Sequence, residues 1–267
     1  MHRLVRNEHS LPKTLRILDL CTGTGCIPLL FHHQYSRAAL QKPPLEMTAV
    51  DVSQLAIDLA HENAESYFSQ HVLRASQPQL PGVLKIVRAD VLRQDEAGDC
   101  EEAPPIMQAL RNSSHLEEPQ CDVLVSNPPY ISSSAFKRTT APSVRRYEPK
   151  LALVPPNTRH GKPSEVDGDL FYPRLLQIAQ QLDAKVLLFE VADLTQAKRV
   201  AEMAVNQSLW DHVEIWRDDP AYSTAKTENL QMAGCKVEIV GRGHGRSVIA
   251  YRGRGITWMD ALCRIGE

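Results

Sequence analysis

Three apolar runs in the first third of the chain each reach an aspartate at or beside their end, and this repetition constrains the fold most. Leu15-Arg16-Ile17-Leu18-Asp19-Leu20, Leu45 to Asp51 and Val83 to Asp90 all read as short buried strands. Helical stretches alternate with them. Ile27 to Phe31 opens one, with Pro28 in its first turn, where a missing N–H does no harm. Ser53 can cap another, Gln54 to Phe68, with Leu55 and Leu59 expected on its buried side. Cys121 to Val125 is a fourth strand, followed by a helix over Gly168 to Leu182, with Phe171, Leu175, Ile178 and Leu182 on one face. A strand over Ala184 to Glu190 and a helix over Leu194 to Ser208 come next. His212 to Trp216 and Ser247 to Tyr251 close the pattern as an antiparallel pair. Alternation of this kind predicts an α/β fold, a doubly wound, seven-stranded and mostly parallel sheet with an antiparallel last strand.

Such a sheet binds ligands beyond the carboxyl ends of its strands. Two stretches fall there. The first is Cys21-Thr22-Gly23-Thr24-Gly25-Cys26, a glycine turn between strand and helix, where the backbone can approach a ligand closely. A tight turn with no ligand accounts for a lone G-x-G equally well. Asp51 ends the second strand, about where a carboxylate meets ribose hydroxyls; a second cap or a solvated loop acid is the plainer alternative. The second stretch is Val125-Ser126-Asn127-Pro128-Pro129-Tyr130-Ile131. Two prolines stop the strand, since neither can donate to a ladder, and Pro128 biases Asn127 toward an extended backbone. The Asn127 side-chain oxygen and nearby carbonyls can then accept both hydrogens of a planar NH2 group, with Tyr130 as a flat wall.

The rest of the chain narrows the function classes. A net charge of -2 over 267 residues gives no general case for nucleic acid or an anionic membrane. No apolar run is long enough to cross a bilayer, and the start lacks a signal-peptide core. The six cysteines form no C-x-x-C pair, which points to reduced thiols in an intracellular compartment, and no zincin-type histidine pair stands among the ten histidines, so no metal is expected. Residues 1–14 read as a tail, 15–251 as one catalytic domain, and 252–267 as an uninformative tail. Residues 94–120 form an acidic, partly disordered insertion with a short helix at Ile106 to Arg111. Ser132 to Lys162 is a long connection made basic by Lys137, Arg138, Arg145, Arg146 and Lys150, suited to an acidic or RNA-bound target or simply to solvent.

A dinucleotide fingerprint wants a third glycine where this chain has Pro28. An acid four residues before the first glycine suits instead a ligand with an ammonium group and no pyrophosphate, S-adenosylmethionine. The set as a whole resembles the class I methyltransferases. Asp19-Leu20-Cys21-Thr22-Gly23-Thr24-Gly25 is similar to their first motif, Val50-Asp51 to the second, Ala89-Asp90 to the third and Asn127-Pro128-Pro129-Tyr130 to the fourth. A fourth motif of this form resembles enzymes that methylate adenine or a glutamine side chain. Val144 to Leu153 is similar to the Y-E-P-x-x-A-L segment of the release-factor glutamine methyltransferases (the HemK/PrmC family). Asp167-Gly168-Asp169-Leu170-Phe171-Tyr172 resembles their D-G-L-x-F-Y segment with two residues exchanged, and Leu187 to Glu190 their following strand.

The resemblance implies methylation of the side-chain nitrogen of a glutamine in a Gly-Gly-Gln loop of a peptide-chain release factor. It implies a cofactor held by Asp19, Cys21, Thr22, Gly23, Thr24, Gly25, Asp51, Asp90, Val91 and Asn127. Asn127, Pro128, Pro129 and Tyr130 would hold the target, with Asn127, Pro128 and Tyr130 acting in catalysis. It favours the bacterial and organellar branch, hence a mitochondrial matrix or cytoplasmic setting with the mitochondrion slightly ahead, nucleic acid met only through ribosome or release factor, and no membrane. Three departures stand out. Cys21 occupies the family's usual first glycine, which requires a negative φ there. Val91 replaces a frequent aromatic. The family's N-terminal helical substrate-binding domain is expected to be absent. Two other readings stay open, an adenine-N6 nucleic-acid methyltransferase and a catalytically inactive cofactor-binding subunit.

Overall fold

The computed structural model describes residues 11–37, 43–72, 84–94, 102–114, 118–156, 165–221 and 228–259. Its contacts divide into two compact units, one of Met1–Val125, Leu182–Lys185 and Gly253–Glu267, the other of Ser126–Gln181 and Val186–Arg252.

The first unit holds strands β1 (Leu15–Leu20), β2 (Leu45–Asp51), β3 (Leu84–Arg88) and β4 (Val123–Ser126, ending at the boundary), in the order β3-β2-β1-β4. β1 pairs with β2 and β2 with β3, both in parallel. Leu15, Ile17, Leu18 and Leu20 are all buried, so β1 is apolar on both faces, as a parallel strand covered by helices must be. The helices are α1 (Cys26–Arg37), α2 (Gln54–Val72) and α3 (Ile106–Ser114). α2 does not use its leucines as expected. Leu55 and Leu59 are 65% and 39% exposed, while Ile57, Ala60 and Ala64 face the core. Small residues there let α2 approach the glycine turn closely; a Cβ on Gly25 would sit 3.4 Å from that of Ala60. α3 lies where a short helix was expected in the acidic stretch; residues 95–101 and 115–117 of that stretch, and Val83 before β3, are outside the described residues.

The second unit holds β5 (Val186–Glu190), β6 (His212–Asp219), β7 (Glu228–Met232), β8 (Cys235–Val240) and β9 (Arg242–Tyr251), ordered β5-β9-β6-β8-β7. β9 runs antiparallel to both β5 and β6, as the sequence pattern predicts. β7 and β8 exceed the expected seven strands. They form a hairpin closed by Ala233 and Gly234, both with positive φ (47° and 82°). Its signal was the alternation of buried Val237 and Ile239 with Lys236 and Glu238. The segment after β4 is not structureless: it forms α4 (Ser133–Thr139), α5 (Pro142–Tyr147) and α6 (Lys150–Leu153), and its basic side chains are exposed. A 3-10 turn (Glu165–Asp169) leads into α7 (Phe171–Gln181), which buries Phe171, Leu175 and Ile178 as expected, and α8 (Leu194–Asn206) starts from Asp193, whose carboxylate accepts from the Gln196 N–H. The parallel pairing in the first unit and the antiparallel β9 beside β5 in the second match the mostly parallel sheet with an antiparallel last strand expected from the sequence.

One stretch that carried no sequence signal is structural. In the first unit, α9 (Arg254–Met259) buries Trp258 and Met259 almost completely, at 1% and 3% exposure. Trp258→Ala should destabilise the first unit by about 3–5 kcal/mol, the usual loss for a buried aromatic. Urea unfolding checks this, and an unchanged midpoint would make α9 a passive appendage.

Candidate functional site

In the first unit the residues singled out around the glycine turn are drawn together by one carboxylate. Asp51 Oδ2 accepts from the Gly23 N–H (2.8 Å) and Oδ1 from the Ser53 N–H (2.9 Å). One side chain therefore fixes the turn after β1 and the start of α2, while Ser53 Oγ accepts from the Ala56 N–H as the helix cap. The Thr22 N–H reaches the Val50 carbonyl, and Asn63 Nδ2 donates to the Thr24 carbonyl. The turn alternates left-handed positions, with φ of 61° at Cys21, 56° at Gly23 and 78° at Gly25. The expectation of a negative φ at Cys21 is thus overturned. The cysteine adopts the conformation of the glycine it replaces, because its neighbours are tied on both sides. A Cβ added to Gly23 would meet no atom within 4 Å, so the space above the turn is open to a ligand.

Asp19 lies beneath this turn at 1% exposure. Thr22 Oγ1 donates to its Oδ2 at 2.5 Å, and its Oδ1 is buried with no partner among the described residues. Burial pushes its carboxyl up to about 7; the Thr22 hydrogen bond opposes this and the Asp51 charge adds to it. A buried carboxyl in this state needs either a proton or a cation close by. The ammonium group of S-adenosylmethionine is such a cation, so the donor set fits that cofactor. Asp90 is bound into the backbone: its Oδ1 accepts from the Leu92 N–H, and its own N–H and carbonyl engage Pro104 and Ile106. Val91 is buried at 4% exposure.

In the second unit the fourth-motif residues sit on a braced loop. Asn127 is exposed directly after the buried end of β4, and Pro128 and Pro129 are buried. Tyr130 is held at both ends. Its hydroxyl donates to Glu190 Oε1 (3.1 Å), and its carbonyl accepts from Gln196 Nε2 (3.2 Å). Burial first, then the Glu190 carboxylate, push the Tyr130 phenol up to about 12, so it stays a donor at neutral pH. The Ile131 N–H bonds the Leu153 carbonyl, tying the Y-E-P-like segment to this loop. The Asp167–Tyr172 segment braces it from another side. A Cβ on Gly168 would strike the Tyr130 carbonyl oxygen closer than real Cβ atoms come, and Tyr172 donates to the Glu190 carbonyl (2.9 Å). Asp169 receives Arg199 through two hydrogen bonds and Gln196 Nε2 through a third (2.8 Å). Sequence reasoning missed Gln196 and Arg199; neither lies in a motif, and only their spacing along α8 places them on one face.

Two outcomes follow for the first unit. Cys21→Gly should stabilise it by about 0.5–1 kcal/mol. Relief of a left-handed non-glycine residue is worth about 1–2 kcal/mol, and the extra freedom of glycine in the unfolded chain takes back about 0.5–1. Destabilisation in urea would contradict the strained turn. Asp19, with its folded pKa above the unfolded 3.8, makes folding less favourable as pH rises from about 4 to 7, with no further change above. Asp19→Asn keeps an acceptor for Thr22 and removes that titration. Its stability relative to the parent chain should therefore climb across that window and then level off; parallel stability–pH curves would refute the raised pKa.

No family model matches the chain. It is 33% identical over 200 residues to the probable MRF1 mitochondrial N(5)-glutamine methyltransferase mtq1 of Schizosaccharomyces pombe, covering 72% of this chain and 52% of that protein. It is 34% identical over 156 residues to the release factor glutamine methyltransferase of Chlorobaculum tepidum, covering 58% of this chain and 41% of that one. The ribosomal protein uL3 glutamine methyltransferase of Bordetella pertussis is 30% identical over 139 residues, covering 52% and 33%. The chain thus spans about half or less of the length of these relatives. In sequence as in its motifs, the chain resembles the glutamine methyltransferases.

Proposed function

We propose that this chain is an S-adenosylmethionine-dependent protein methyltransferase that methylates the side-chain nitrogen of a glutamine, with a release factor as its target. The observation that carries the reading is the exposed Asn127 at the end of a buried strand, followed by two buried prolines and a Tyr130 braced at both ends. When bound, the cofactor supplies an electrophilic methyl group on a sulfonium centre. An amide nitrogen is a weak nucleophile because its lone pair is delocalised. The Asn127 oxygen and the Pro128 carbonyl accept its two hydrogens, so they stabilise positive charge as it develops on nitrogen. That nitrogen gains a methyl group and loses one proton to solvent, leaving methylated glutamine and the demethylated cofactor. Tyr130 presents a flat wall to the planar amide. Asp19, the Cys21–Gly25 turn, Asp51 and the Asp90–Val91 strand end hold the cofactor in this reading.

A glutamine target is favoured over adenine because the relatives are named as glutamine methyltransferases, one for a release factor, one for MRF1 and one for uL3. The mitochondrial names of two yeast relatives support a mitochondrial setting for this chain. Among the described residues, no helix is long and apolar enough to cross a membrane.

Labelled-methyl transfer to purified release factor, with uL3 and an adenine-containing oligonucleotide in parallel, tests the proposal. Label should appear on the glutamine of a Gly-Gly-Gln loop and vanish when that glutamine is replaced. Asn127→Ala should lower the rate on the order of 10²–10³-fold, as for one oxyanion-hole donor, with cofactor affinity little changed. Asn127→Asp, which keeps an acceptor of the same shape, should recover part of that rate. Label on adenine instead would overturn the reading.

A further inference from the structure

Gln196 is a glutamine at 3% exposure in the first turn of α8, and every hydrogen-bonding group of its side chain is used. Its Oε1 accepts from the Ala192 N–H (2.8 Å), in the loop that follows β5. Its Nε2 donates one hydrogen to the Tyr130 carbonyl (3.2 Å) and the other to Asp169 Oδ1 (2.8 Å). Three segments far apart in sequence meet on this one amide. No other neutral side chain of that reach offers one acceptor and two donors from a single planar end. A buried polar group with this pattern is either fully satisfied or costly, so the arrangement is specific. Arg199, one turn further along α8, grips Asp169 with a two-point contact and so fixes that acceptor where Gln196 meets it.

The loop on which this amide acts is unusually stiff. Pro128 and Pro129 each have φ locked and both are buried, so Asn127 to Tyr130 moves almost as one body. It is anchored at its start by β4 and at its end through Tyr130. Freeing the Tyr130 carbonyl would therefore swing the far end of the loop, carrying the Pro128 carbonyl with it and shifting Asn127. We infer that Gln196, held by Asp169 and Arg199, is a positioning residue that sets the angle of the Asn127–Tyr130 loop, and through it the two acceptors that grip the target amide. The inference rests on the reading of the loop as the amide-binding element.

The decisive variants are Gln196→Leu and Gln196→Glu. The first keeps bulk and loses all three bonds. The second keeps an acceptor for Ala192 but, once ionised, sets a negative charge against the Tyr130 carbonyl and Asp169. In methyl-transfer assays on release factor both should lower kcat about 10²-fold, the effect of a misplacement near 1 Å. The calorimetric affinity for S-adenosylmethionine should stay within twofold. Gln196→Glu should regain rate as the pH falls and its carboxyl takes up a proton, because the protonated form again donates; Gln196→Leu should show no such recovery. A merely structural role would give two variants with the same pH profile. Hydrogen exchange at the Ile131 amide gives a reading independent of turnover: it should quicken at least tenfold in both variants while amides of β1 and β2 keep their protection. Unchanged exchange at Ile131, or a normal kcat in Gln196→Leu, would overturn the positioning role. If the parent chain methylates no glutamine, the functional reading fails, and the exchange experiment still decides whether Gln196 fixes the loop.

Discussion

The Tyr130 carbonyl oxygen is the point on which the second unit turns. It needs a donor, because a buried carbonyl without one is costly, and the donor comes from α8 through Gln196. It also needs room, which only a residue without a side chain at position 168 leaves. The two demands explain why a glycine stands between Asp167 and Asp169, and why Asp169 is in turn saturated by Gln196 and Arg199. Removing a methyl-sized space at Gly168 would push on the same oxygen that Gln196 pulls. The motif segment and the helix are thus two halves of one constraint on the loop that follows β4.

The first unit solves a similar problem with charge. A glycine turn is pliable, and pliability is of no use to a site that must hold a ligand in one pose. Asp51 removes it by accepting one N–H from the turn and one from the head of α2. Both oxygens are then engaged through a single lone pair each, and the remaining lone pairs are those a pair of ribose hydroxyls would use. The cap and ribose readings of Asp51 are therefore compatible: the hydrogen bonds that cap the turn also aim the carboxylate.

Much of this was legible because local signals agreed with one another. Strand, glycine turn and helix followed from apolar runs bounded by glycines, and the fourth-motif loop from prolines that cannot sit inside a ladder. What failed to show in the sequence failed for identifiable reasons. Leu55 and Leu59 looked like the buried face of α2, but the core side had to admit the glycine turn, and the small side chain of Ala60 allows that approach. Trp258 lies past the last strand, where no periodicity announces a helix of six residues. Gln196 is invisible to pattern reading, since the two acceptors of its Nε2 are 66 and 27 residues away and a polar residue in a helix reads by default as solvated. The β7–β8 hairpin had a signal, the alternation around Val237 and Ile239, but it was short and flanked by polar residues.

The glycine turn carries two unfavourable features side by side, and they differ in kind. Cys21 holds a left-handed backbone that a side chain resists, and Asp19 holds a carboxyl where water cannot reach it. No ligand can relieve the first, because the clash lies between the Cys21 Cβ and its own backbone whatever occupies the space above. A cation can relieve the second, and a ligand that brings one and binds only the folded chain also stabilises it by mass action. A cost that binding removes is what a cofactor site is expected to retain; a cost that binding leaves untouched is not. Asp19 therefore carries a cost that a cationic ligand would remove, whereas the strain at Cys21 is one that no ligand touches.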